Sequence, residues 1–123
     1  MTRSALIPVF GCLVAAWPAL ADPPRVVAAN ATSDGGGRWT ISVTLEHPDT
    51  GWDHYASGWK VLAPDGTLLG LRNLTHPHVD EQPFERARKG VEIPPDLTEV
   101  LIVPRCTLDG WVAMPVILTL PAP

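Results

Sequence analysis

Four histidines, His47, His54, His76 and His78, fall within 32 consecutive positions of a 123-residue chain. Imidazole is the side chain that most often binds metal ions or moves protons near neutral pH. His76 and His78 flank Pro77. Proline biases the residue before it toward an extended backbone, and residues two apart on an extended chain project to the same side. A pair of nitrogen donors so placed suits copper(II) or zinc(II). His47 and His54 bracket a loop, Pro48-Asp49-Thr50-Gly51-Trp52-Asp53. All four histidines are therefore candidate metal ligands, and three or four of them converge if the two loops leave the fold at the same end. Asp80 and Glu81 would then join the coordination or hold a histidine tautomer from behind. The pattern lacks two stronger zinc signatures, His-x-x-x-His on a helix and Cys-x-x-Cys. The competing reading is that these are loop histidines packed on tryptophans or bonded to backbone carbonyls.

Other residue types point to less chemistry. Cys106 is either a small buried hydrophobe, a metal ligand or a reactive thiol. Trp52, Tyr55 and Trp59 are close in sequence, and exported modules grip sugars or peptides with such aromatics. Trp59 opens an alternating run with Val61 and Ala63, and Trp39 opens another, which assigns both to the core and leaves Trp52 as the candidate for exposure. The chain contains no Gly-x-Ser-x-Gly elbow, P-loop or dinucleotide fingerprint. Asp80 and Glu81 are adjacent, so on a strand they face opposite ways. The expectation is a non-enzymatic protein with no catalytic residues. Arg86, Arg88 and Lys89 read as a solvated strand face.

Something must hold these side chains, and the first 21 residues are not part of it. Arg3 begins a positively charged segment, residues 5–17 form an apolar core, and Pro18-Ala19-Leu20-Ala21 ends in a small-x-small pattern, the three parts of a secretory signal. Such a core is too short to cross about 30 Å of hydrocarbon as a helix. Cleavage is expected after Ala21, in a periplasmic or secreted protein; Gly11-Cys12 offers a rival lipoprotein-type site that fits its flanking residues less well. Residues 112–120 are apolar but contain Pro115, which suits a strand and not a membrane span. Cleavage would leave residues 22–123 as a single domain with Cys106 as its one cysteine, so the fold must stand on its core and not on a disulfide.

The whole chain is 46% hydrophobic and 18% charged with 14 prolines, which excludes disorder and long coiled coils. Its net charge of −4 becomes −5 once Arg3 is lost. That balance argues against nucleic acid or an acidic membrane surface as partner. Alternation with period two runs through the sequence, most clearly in residues 38–46, where Trp39, Ile41, Val43 and Leu45 share one face. Shorter strands are expected over 26–29, 59–63, 67–72, 84–88, 91–93, 99–103 and 111–120. Turns lie at the glycines of residues 33–37, at Pro64-Asp65-Gly66 and at Thr107-Leu108-Asp109-Gly110, with a kink at Gly90. About seven short strands with turns every 8 to 12 residues describe an all-β, immunoglobulin-like Greek-key sandwich, a small partly open barrel being the alternative. Pro104 and Pro115 belong at edges or bulges.

The stretches Gly51-Trp52-Asp53-His54-Tyr55-Ala56 and His76-Pro77-His78-Val79-Asp80-Glu81-Gln82-Pro83-Phe84, with Gly58-Trp59, Asp65-Gly66 and Leu69-Gly70 between them, resemble a family of small exported proteins of Gram-negative bacteria. The resemblance covers most of residues 22–123. It implies periplasmic location and an all-β fold, brings no assigned activity and no catalytic residues, and does not make the position of Cys106 characteristically a cysteine. The resulting expectation is an exported binding domain that takes copper or zinc through its loop histidines. The alternative is an accessory module that docks on another envelope protein through a sheet edge or Trp52, with no metal site.

Overall fold

The computed structural model describes residues 22–123 together with the isolated positions 8 and 11; the expected signal segment and its cleavage site lie outside the described residues. Eight strands follow in order: β1 (Arg25–Gly35), β2 (Arg38–Glu46), β3 (Ala56–Leu62), β4 (Leu68–Asn73), β5 (Phe84–Glu92), β6 (Glu99–Cys106), β7 (Gly110–Trp111) and β8 (Val116–Thr119). One sheet has the order β1-β2-β5. The other has the order β4-β3-β6, with β7 and β8 both pairing with the far side of β6. Every pairing is antiparallel. The chain changes sheet between β2 and β3, between β4 and β5, and between β5 and β6, so the molecule is the expected immunoglobulin-like Greek-key sandwich. β4 lies against β5, and β1 against β8, without joining the ladders, which leaves two sheets and no closed barrel. No helix among the described residues is long and apolar enough to cross a membrane.

The alternation in the sequence becomes the core. Trp39, Ile41, Val43 and Leu45 of β2 point inward and are buried, as are Trp59 and Val61 of β3, Phe84 and Val91 of β5, and Val100 and Ile102 of β6. Strand β1 is longer than its apolar run because Ala29, Ala31 and Ser33 alternate inward from an edge that covers the core only lightly. Small residues carry little hydrophobic signal, so the sequence marks only its first few positions. Gly90, at φ +68°, sits where Lys89 and Gly90 together oppose Thr40, a bulge that accounts for the expected kink.

The last predicted strand is split in two by Pro115. Between β7 and β8 the chain leaves β6, and Pro104 faces that gap: its carbonyl accepts from Val112 N at 2.9 Å, and its missing N–H falls where no ladder partner is needed. A proline can thus occupy a central strand. The core sets a stability expectation. Ile102→Ala, at a fully buried position, should cost about 2–5 kcal/mol in urea unfolding with an unchanged slope. Ile117→Ala, at a side chain 61% exposed, should stay within about 0.5 kcal/mol.

Candidate metal centre

Three loops meet at one end of the sandwich. The register fixes this, because Ala56 at the start of β3 pairs with Cys106 at the end of β6, Gly58 pairs with Asn73 at the end of β4, and Leu45 near the end of β2 pairs with Phe84 at the start of β5. Residues 47–55, residues 74–83 and the turn after Cys106 are therefore neighbours. They are tied together by hydrogen bonds. His47 N donates to Gln82 Oε1 at 3.0 Å and Gln82 Nε2 donates to His78 O at 2.9 Å. Thr107 N donates to Tyr55 O at 3.0 Å, and Tyr55 N donates to Thr107 Oγ1 at 3.1 Å.

Within residues 47–55 the backbone doubles back twice. Asp49 N donates to His47 O across Pro48 at 2.8 Å. Thr50 N then reaches His54 O at 3.0 Å and His54 N reaches Gly51 O at 3.2 Å, with Gly51 at φ +147°, a conformation that side chains disfavour. The result brings the rings of His47 and His54 edge to face, with centroids 4.6 Å apart.

His47 is buried beside a carboxylate that is itself buried. Its Nδ1 lies 2.5 Å from Asp49 Oδ1, which also accepts from Ala56 N at 2.9 Å; Asp49 Oδ2 accepts from His78 N at 2.8 Å. In the neutral ring this pairing puts the proton on Nδ1 and leaves Nε2 with its lone pair. Nε2 of His47 is buried and has no hydrogen-bond partner, and the same holds for Nε2 of His54. Cys106 is buried and forms no disulfide; its Sγ accepts from Asp109 N at 3.4 Å and lies 3.5 Å from Asp109 Oδ2. One donor atom from each of His47, His54 and Cys106 lies within 4.8 Å of the other two. A metal with bonds of about 2.0 Å to nitrogen and 2.3 Å to sulfur sets its ligands about 3.5 Å apart, so small side-chain rotations close the set.

Thus the structure brings His47 and His54 together, adds Cys106 to them, and places His76 and His78 in a second cluster. The rings of His76 and His78 lie 4.4 Å apart, and His78 stacks on Phe84 at 3.8 Å with the planes 8° from parallel. His78 Nε2 accepts from Arg86 at 2.9 Å, whereas His76 Nδ1 lies 3.0 Å from Pro77 O. His76 is exposed and His78 buried. Burial, then the Arg86 guanidinium and His76, hold His78 below the usual imidazole range, with Asp49 and Glu81 acting in the opposite sense. Trp39 and Trp59 are core residues, and Trp52 is 68% exposed, as the alternation implies. Sequence spacing gave no reason to single out Asp49. Its one linear signal is His47-Pro48-Asp49, a carboxylate two residues from a histidine across a proline.

A curated protein of Halomicrobium mukohataei named "Putative lipoprotein" is 40% identical over 78 residues, which is 63% of this chain and 38% of that protein. The chain therefore spans well under half the length of that relative. No family model matches the sequence. No solved structure matches it either.

The His78 environment predicts a pH dependence. Its folded pKa lies below the unfolded value of 6.5, so the folded state prefers the neutral ring and binds fewer protons than the unfolded chain. The stability this contributes is complete above the unfolded pKa and is lost as pH falls from there through the folded pKa. Unfolding free energy should drop between about pH 7 and pH 5, and His78→Gln should flatten that slope. Urea titrations at stepped pH measure it.

Proposed function

We propose that this chain is an exported β-sandwich domain that binds one transition-metal ion, copper or zinc, through His47, His54 and Cys106, and that it acts as a binding protein and not as an enzyme. The observation that carries the reading is the buried Asp49–His47 pair. A carboxylate on one ring nitrogen fixes the tautomer and aims the other nitrogen, and metal-binding histidines are oriented in this way. Left without a partner, each buried imidazole nitrogen costs about 1–3 kcal/mol. Two such nitrogens, on rings that each bring a donor atom within 4.8 Å of the Cys106 sulfur, make an arrangement that an ion would repay.

Export is supported by the tripartite segment before Asp22 and by the name of the Halomicrobium relative, which places that protein among lipoproteins. We take Ala21 as the cleavage position and the periplasm as the destination. Intact mass of the protein recovered from its native host should then correspond to a chain beginning at Asp22; a lipid-modified Cys12 at the N-terminus would refute this part of the reading.

Metal binding is tested on purified residues 22–123 by calorimetric titration with Zn(II) and Cu(II) alongside a chromophoric competitor. One ion per chain is expected. His54→Gln and Cys106→Ser should abolish stoichiometric binding, whereas Asp49→Asn should weaken it about 10–100-fold by loosening His47. His76→Gln should leave it unchanged. Equal affinity in the wild-type protein and in His54→Gln would sink the proposal.

A further inference from the structure

We propose that the ion is copper in three-coordinate geometry, held by two imidazoles and one thiolate, and not zinc in a tetrahedral site; this rests on the metal-binding reading above. The number of donors is the first argument. Among the described residues the ligand group has three members. Both oxygens of the adjoining carboxylate are already engaged, Asp49 Oδ1 by His47 Nδ1 and Ala56 N and Oδ2 by His78 N, and Asp109, whose Oδ2 lies 3.5 Å from Cys106 Sγ, is exposed and falls outside the three-residue group. Met114, a soft donor eight residues beyond Cys106, is 80% exposed. Structural zinc sites are almost always closed by a fourth protein ligand. Copper bound to a thiolate takes trigonal His₂Cys coordination, with any fourth contact long and weak.

Ligand chemistry and charge agree with that count. The thiolate is the soft donor that copper favours, and for a given set of nitrogen and sulfur ligands copper(II) binds more tightly than zinc(II). Asp109 N already points at Cys106 Sγ from 3.4 Å, and hydrogen bonds to the cysteine sulfur are among the features that tune such copper sites. The Asp49 side chain is fully buried. Counting its charge with that of the thiolate, copper(II) brings the buried total to zero and copper(I) leaves one negative charge, which three N–H groups on Asp49 already address. Both oxidation states therefore fit.

The test uses residues 22–123 titrated with Cu(II) under anaerobic conditions, with Zn(II) as competitor. The expected result is an intense visible thiolate-to-copper charge-transfer band that saturates at one copper per chain. It should be lost in Cys106→Ser, kept in His76→Gln, and unaffected by equimolar Zn(II). In a second sample reduced with excess ascorbate, which supplies the electron and leaves the thiolate in place, X-ray absorption should find one sulfur and two nitrogens around copper(I). A fourth nitrogen or oxygen ligand there, or only weak absorption that survives Cys106→Ser, would overturn the inference. Displacement of copper by Zn(II) at one ion per chain would remove copper while leaving the metal site standing. Stoichiometric binding of neither ion would remove both.

Discussion

The loop end of this sandwich depends on one buried carboxylate. Removing an ionised carboxyl group from water carries a penalty of several kcal/mol unless hydrogen bonds replace the lost hydration. Asp49 meets that demand with donors from three places: the imidazole of His47, the backbone N–H of Ala56 where β3 begins, and the backbone N–H of His78 in the loop between β4 and β5. Two of these donors, on His47 and His78, lie in loops, and the third, on Ala56, opens a core strand. Satisfying one charge therefore fixes the tautomer of His47, the entry of β3 and the placement of the His-Pro-His loop together.

The core and the loop end divide the work between them. Two sheets packed through Trp59, Ile41, Leu45 and Ile102 need no ion or disulfide to exclude water. Cys106 belongs to both regions: it is the last residue of a core strand, held by its pairing with Ala56, and its sulfur faces the polar loops. A ligand on a strand is positioned more firmly than one on a loop. Of the candidate ligands, Cys106 is thus the rigid one and His54, half-buried on a doubled-back turn, the adaptable one.

What the sequence revealed and what it hid follow from how far each interaction reaches along the chain. Strand β2 was legible because its alternation is local and its inward residues are large. Strand β1 was legible only in part, since alanine, threonine and serine alternate without contrast. The histidine concentration was visible, but its division into two clusters was not. His54 and Cys106 are 52 positions apart, and they meet only through the register of β3 against β6. A slip of one residue would turn Cys106 to the other face, and hydrophobic pattern alone does not specify register that finely where the strand leaves the core. The Arg86 contact to His78 was hidden in the same way: a basic residue that reads as strand-surface charge turns out to serve a loop histidine.

His47 and His78 show why burial alone does not make a histidine a ligand. Both are almost fully buried, both are linked to Asp49, and each has one ring nitrogen without a partner. In His78 the lone pair is consumed by Arg86 at Nε2, so the unpartnered nitrogen, Nδ1, carries the hydrogen in the neutral ring. An N–H cannot bind a cation. In His47 the hydrogen is consumed by Asp49 at Nδ1, so the unpartnered Nε2 carries the lone pair, which can. His78, of the more closely spaced His-Pro-His pair, is thus turned to packing on Phe84 and to an arginine. His47 keeps the free valence that a cation needs, and a donor atom of His54 and the Cys106 sulfur lie within 4.8 Å of its own.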